Sequence, residues 1–169
     1  MKKIVITGPE CTGKTTLAKA LAEHYKTKWV PEYARQYLDE LDREYREEDL
    51  LKIAKGQLKL EDQIGKECNG LLFCDTDLTV LKIWQEYKYG RCFEEILSKL
   101  KTRKYKLHLL LAPDVPWEFD FQRENPNDRK KLFKMYESEL ATGQYTYQTI
   151  SGNFDSRVQK AIKAIDTLI

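Results

Sequence analysis

Short apolar runs alternate along this chain with longer stretches in which apolar residues recur every three or four positions. Ile4-Val5-Ile6 predicts a buried first strand, and Leu17, Ala18, Leu21, Ala22 and Tyr25 then stripe a helix that opens near Lys14. Trp29-Val30 predicts a short second strand ending at Pro31. Leu50, Leu51, Ala54, Leu58 and Ile64 give one apolar face to a long charged helix over 46–68, which Asn69-Gly70 stops. The run 71–74 reads as a third buried strand, followed at once by Asp75-Thr76-Asp77. Val80, Leu81 and Trp84 stripe the next helix, to Gly90, and Phe93, Ile96, Leu97 and Leu100 another. Residues 107–112 form the fourth strand. Leu132, Phe133, Tyr136 and Leu140 mark a helix, 147–150 the last strand, and Val158, Ala161, Ile162, Ile165 and Ile169 a closing helix capped by Asp155.

Strand and helix signals that alternate in this way specify an α/β fold, with a parallel sheet of five strands and helices on both faces. Residues 113–128 have no periodicity and mix Trp, Arg, Asn and Pro, as a mobile flap would. No repeat, low-complexity tract or linker divides the chain, so residues 1–169 read as one domain with a lid over about 113–130. A chain of 169 residues is long enough to bury roughly two-thirds of its unfolded surface.

Composition narrows the function by exclusion. A net charge of +2 gives no long-range attraction to nucleic acid, and the basic stretch Lys99, Lys101, Arg103, Lys104, Lys106 reads as a solvated helix end and linker. No apolar run reaches the length of a membrane span. Met1-Lys2-Lys3 leads directly into the first strand without the apolar stretch of a signal peptide, so the expected location is the cytoplasm. Cys11, Cys68, Cys74 and Cys92 lack metal-site spacing and read as scattered reduced thiols. The oligomeric state is not legible.

The chemistry begins at Gly8-Pro9-Glu10-Cys11-Thr12-Gly13-Lys14-Thr15, which matches G-x-x-x-x-G-K-[ST] between a strand and a helix. Such a loop turns backbone N–H groups inward around phosphate oxygens and adds the positive end of the helix dipole. Lys14 is expected at the β- and γ-phosphates of ATP, the Thr15 hydroxyl on Mg²⁺, and Thr16 near the α-phosphate. No N-K-x-D segment for reading guanine occurs, and Gly152, after the last strand, falls where small kinases of this type hold adenine. A short chain with an arginine-bearing flap fits a small-molecule kinase.

Phosphoryl transfer needs charge neutralisation and a carboxylate to orient the attacking hydroxyl. Asp75 ends a buried strand at the carboxyl edge of the sheet, where it would face the phosphates and contact Mg²⁺ through water. Asp77 reads either as the cap of the helix after it or as a substrate ligand. Glu32 and Arg35 follow the second strand, and either Glu32 or Asp77 would orient the acceptor hydroxyl. Arg123 and Arg129, in the flap region, would neutralise the transferring group on closure.

Three segments taken together resemble one family: Trp29-Val30-Pro31-Glu32-Tyr33-Ala34-Arg35-Gln36-Tyr37-Leu38, Asp75-Thr76-Asp77 with Trp84, and Asp114-Val115-Pro116-Trp117 with Arg123. They are similar to the ribosylnicotinamide kinase domain of NadR-type NAD-biosynthesis proteins. The resemblance implies a three-layer nucleoside-kinase-like P-loop fold and phosphorylation of the ribose 5′-hydroxyl of nicotinamide riboside. It also implies an aromatic base pocket, for which Trp84, Trp29, Tyr33 and Tyr87 are candidates. An aromatic face suits a pyridinium that carries a fixed positive charge. His24 and His108 are the two histidines and form no His-x-Gly-His signature, so adenylyl transfer and gene regulation are not expected. Phe119 to Arg123 departs from the family by placing an aromatic where the resemblance leads one to expect glycine. A deoxynucleoside or nucleoside-monophosphate kinase is the nearest alternative, and a nucleotide-gated regulatory ATPase with a protein partner is another.

Overall fold

Alternation along the strands sends side chains to two sheet faces, and both faces are covered. The computed structural model describes residues 1–68 and 70–169. Among these, β1 (Lys2–Thr7), β2 (Lys28–Val30), β3 (Leu71–Asp75), β4 (Leu107–Leu111) and β5 (Tyr147–Ile150) form one parallel sheet in the order β2-β3-β1-β4-β5. Ile4 and Ile6 of β1, Phe73 of β3 and Leu107, Leu109 and Leu111 of β4 meet α1 (Lys14–His24) and α7 (Phe154–Asp166). Val5, Leu72 and Cys74 turn the other way, joining Val30, and Leu110 packs with Ile83 and Leu132. Strands buried on both sides read as continuous apolar runs, which is why the sequence marks them so clearly. Each fully buried Leu, Ile or Phe here contributes about 1.5–3 kcal/mol.

The second helical layer holds α2 (Tyr33–Asp39), α3 (Glu47–Gly65), α4 (Leu78–Tyr89), α5 (Glu94–Thr102) and α6 (Arg129–Thr142). Leu50, Ile53, Ala54, Leu81, Ile96 and Leu100 form a separate core among them. The architecture is the expected three-layer α/β arrangement, and all five expected strands are present. No helix among the described residues is long and apolar enough to cross a membrane.

Several local expectations are corrected. Helix α3 ends at Gly65 rather than 68; the expected stop at Asn69 lies outside the described residues. Helix α2 is too short, at seven residues, to carry a periodic signal. The cap of α7 is Asn153, which accepts from the Ser156 N–H at 3.0 Å, and Asp155 instead sits in the first turn, where its charge suits the helix dipole. Arg103 is not part of a solvated basic stretch, since its two terminal nitrogens grip Asp62 at 2.6 and 2.7 Å.

Candidate active site

The phosphate loop joins β1 to α1, and glycine is required where it leaves the strand. Gly8 has φ 135, and a Cβ there would lie 2.8 Å from the carbonyl oxygen of Leu111 at the end of β4. Gly13 precedes α1 at φ 82 and supplies no side-chain cap, so the N–H groups of the first turn face the loop. The Thr12 hydroxyl braces the loop by donating to Pro9 O at 2.9 Å. Lys14 Nζ reaches over the loop to Gly8 O at 3.1 Å and Pro9 O at 2.9 Å. Thr16 is exposed in the first turn of α1.

Asp75 stands beside this loop because the parallel register pairs it with Ile6. The Thr15 hydroxyl donates to its Oδ2 at 2.5 Å, while Oδ1 is buried with no hydrogen-bond partner. Burial pushes the Asp75 carboxyl up to about 6, with the charge of Glu32 adding to the effect and the Thr15 hydroxyl opposing it. The next residue, Thr76, holds φ 72, a costly conformation for a β-branched side chain, of the kind that persists at functional sites. An acceptor hydroxyl beside a carboxylate oxygen with a free lone pair is a donor set suited to Mg²⁺, which takes one or two protein oxygens and completes its shell with phosphate and water. Among the described residues, no group of three or more His, Cys, Asp or Glu side chains is placed to hold a metal by itself.

From Gly8 and Lys14 one cleft runs between α2, α4 and α6. Glu32, Ala34, Arg35 and Leu38 form one wall, and Val80, Ile83, Trp84, Tyr87, Leu132 and Tyr136 form the other. Trp84 presents its ring to the cleft with its indole N–H donating to the Tyr45 hydroxyl at 3.0 Å, and Tyr87 is held by a 2.5 Å bond to Asp128. Trp84 is thus a lining residue rather than a purely core one. Three expected ligands are placed elsewhere. Tyr33 packs its ring onto α3, where a Cβ at Gly56 would lie 2.0 Å from its Cε1, and it does not line the cleft. Trp29 packs against the α1–α7 core beneath Lys19. Asp77 is 1% exposed and committed to the Thr79 N–H, the Thr79 hydroxyl and His108 Nε2. It serves as the cap of α4 and lies outside the cleft lining.

The segment before α6 is docked over the loop. Glu10 accepts from the N–H groups of Glu124 and Asn125 at 3.1 and 3.0 Å. Cys11 Sγ accepts from Glu118 N–H at 3.1 Å and from Arg123 Nη1 at 3.2 Å. Arg35 pairs with Asp120 at 2.6 Å and lies 3.9 Å from Glu32. Arg123 lines the cleft, and its buried Nε makes no hydrogen bond but lies 3.8 Å from Asp120 Oδ2. Arg129 Nη1 donates to Cys11 O at 3.1 Å and Val115 O at 2.9 Å, and its side chain lies outside the cleft lining.

Sequence reasoning missed Arg157, Asp114, Asp120, Leu132 and Tyr136. Leu132 and Tyr136 were visible only as a helix stripe, because the stripe of α6 faces both the sheet and the cleft. Arg157, buried in α7, donates to Thr12 O, Gly152 O and Ala112 O, and so locates the expected Gly152 loop against the phosphate loop. An arginine inside an otherwise apolar-striped helix was the available signal.

Comparison with known proteins agrees with this arrangement. A family model described as an AAA domain matches residues 3–157. The chain is 26% identical over 174 residues to the trifunctional NAD biosynthesis/regulator protein NadR of Escherichia coli (strain K12), covering 98% of this chain and 42% of that protein. It is 25% identical over 178 residues to the same-named protein of Salmonella typhimurium, covering 100% and 43%. It therefore spans less than half the length of the curated relatives it matches. The crystal structure of NadR protein in complex with NR superposes with a TM-score of 0.79 at 22% identity, over 99% of this chain and 51% of that one. Thymidylate kinase from Ehrlichia chaffeensis superposes at 0.69 and 15% identity, over 99% and 98%. The sheet order and these superpositions give the fold of a P-loop kinase, and the match over residues 3–157 makes this protein a member of the AAA domain family.

Proposed function

We propose that this protein transfers the γ-phosphoryl group of ATP to the 5′-hydroxyl of nicotinamide riboside, giving nicotinamide mononucleotide, with residues 1–169 acting as one kinase domain and 113–130 as its lid. The observation that carries the reading is a single cleft whose lining includes Gly8 and Lys14 of the phosphate loop, the carboxylate Glu32 and the aromatic side chains Trp84, Tyr87 and Tyr136. The similarity to NadR supports the choice of acceptor.

The polyphosphate lies along the loop, where N–H groups from Gly8 to Thr15 and the first turn of α1 bind its oxygens. Lys14 exchanges its two loop carbonyls for β- and γ-phosphate oxygens. Thr15 and Asp75 would hold Mg²⁺, which would supply charge neutralisation for the polyphosphate. Thr16 and Gly152 flank the α-phosphate and the adenine.

The acceptor base packs on Trp84 and Tyr87, whose ring faces attract a pyridinium cation. Glu32 accepts the hydrogen bond of the 5′-hydroxyl and takes its proton as the new P–O bond forms and the bond from the γ-phosphorus to the bridging oxygen breaks, so that ADP leaves with that electron pair along the phosphate loop. Arg123, already over the loop through Nη1, neutralises the transferring group, and Arg129 and Glu10 keep the lid against the loop. Excluding water there limits wasteful hydrolysis.

A monophosphate acceptor is less well served, because Arg35, the cation at the acceptor end, is already neutralised by Asp120 and Glu32. The test is a Mg·ATP assay against nicotinamide riboside, thymidine, deoxycytidine, cytidine, uridine, CMP and dTMP, with products identified by mass. Selective formation of nicotinamide mononucleotide supports the proposal; transfer to another acceptor keeps the kinase and replaces the substrate.

A further inference from the structure

Arg157, the fourth residue of α7, is 3% exposed and reaches three loops at the carboxyl edge of the sheet. Its Nη1 donates to Thr12 O at 2.6 Å, its Nε to Gly152 O at 2.7 Å and its Nη2 to Ala112 O at 2.9 Å. Nη2 also pairs with Asp114, whose other oxygen accepts from the Gly152 N–H at 2.7 Å. One planar cation thus ties the phosphate loop, the exit of β4 and the β5–α7 turn into a single unit. Five N–H donors in a rigid fork suit this task, and a lysine ammonium would not span it.

The bond to Thr12 O has a chemical consequence as well as a mechanical one. That carbonyl belongs to the peptide whose N–H is contributed by Gly13, within the arc that faces the phosphates. A cation on the oxygen draws electron density toward it and makes the N–H a stronger donor. The countercharge, Asp114, has a 39% exposed side chain, so water weakens its claim on the guanidinium while the buried loop carbonyl feels the charge fully.

We infer that Arg157 is a positioning residue for the nucleotide: it polarises the phosphate loop at Gly13 and fixes the Gly152 turn at the distance that adenine and triphosphate require. The inference rests on the ATP-binding half of the proposed function and is independent of the acceptor. A residue with a purely structural role would alter stability and leave the two ligands equally affected.

The experiment is calorimetric titration of the full chain, separately with Mg·AMP-PNP and with nicotinamide riboside, for the wild type, Arg157→Lys and Arg157→Met. The expected result is a nucleotide affinity about tenfold or more lower in Arg157→Met, with partial recovery in Arg157→Lys and riboside affinity held within about twofold. Equal nucleotide affinity in the wild type and a folded Arg157→Met, checked by thermal denaturation, would overturn it. Should Arg157→Met not fold, Arg157→Lys and Asp114→Asn carry the test, and unchanged nucleotide affinity in both overturns it. A wild type that binds nucleotide but not the riboside, with nucleotide affinity falling in the variants, supports the inference and removes the acceptor assignment. A wild type that binds no nucleotide overturns both.

Discussion

The Thr15 hydroxyl donates to Asp75 Oδ2 at 2.5 Å across 60 residues of sequence. The bond joins the first turn of α1 to the end of β3, and it leaves the second carboxylate oxygen buried and free. Two segments that are only a loop and a strand end in the sequence thus become one electrostatic unit, with Glu32 near enough to raise the Asp75 carboxyl further.

That raised carboxyl has a signed effect on stability. Because Asp75 titrates near 6 in the folded chain against 3.8 in the reference state, folding tightens its hold on a proton. Its contribution is complete below the lower value and is lost as pH rises through the upper one, by about 3 kcal/mol at most. In metal-free protein, Asp75→Asn is therefore expected to gain stability relative to wild type between about pH 4 and 7, as read by urea unfolding at several pH values. A difference that does not change with pH would refute the raised value. With Mg·ATP the same variant is expected to lose about a hundredfold or more in turnover.

Trp84 and Lys14 line the same cleft from α4 and from the phosphate loop. Trp84→Ala is expected to raise the KM for nicotinamide riboside by about tenfold, the worth of an aromatic face beneath a cation, and to change the KM for ATP by much less. Steady-state kinetics with each substrate varied in turn will show this. Equal effects on both would assign Trp84 to packing alone.

Asp77 lies outside the cleft lining and caps α4 while facing His108. Asp77→Ala is expected to cost about 1–2 kcal/mol in chemical denaturation and to leave the acceptor KM unchanged. An acceptor KM that rises with little loss of stability would return Asp77 to the substrate site.

Glu10 receives two consecutive backbone N–H groups of the lid. Glu10→Ala is expected to loosen 113–128, seen as faster proteolysis there. It should also raise ATP hydrolysis without acceptor severalfold relative to phosphoryl transfer, as water gains entry. Unchanged proteolysis and unchanged coupling would show that the lid is held elsewhere.

The elements that sequence resolved are those where one physical signal dominates. Strands buried on both faces, such as Ile4-Val5-Ile6 and 107–111, read directly as apolar runs, and the phosphate loop reads from its fixed glycines and Lys14. The ambiguities arose where one residue type satisfies two physical demands. Asp77 matches both a cap and a ligand in sequence, and its cap bond and its contact with His108 appear only in three dimensions. Tyr33 and Trp84 are both aromatic residues on helices, and their spacing does not say which ring meets a glycine notch and which meets the cleft. Arg157 and Asp120 act across 145 and 85 residues, respectively, separations over which no local pattern carries information.

The notch at Gly56 reaches beyond packing. Gln57 grips the backbone on either side of Glu32, accepting from Tyr33 N–H at 2.7 Å and donating to Pro31 O at 3.3 Å, while the Tyr33 ring fills the space that a side chain on Gly56 would claim. The Glu32 carboxylate is therefore aimed from α3, by two neighbours outside the cleft lining. Mutational freedom in this enzyme should consequently be uneven. If the proposed roles hold, the aromatic wall on α4 is where a new acceptor would be selected, whereas Gly56 and Gln57 are tied to the placement of Glu32, and a lineage that changed its substrate would be expected to keep them.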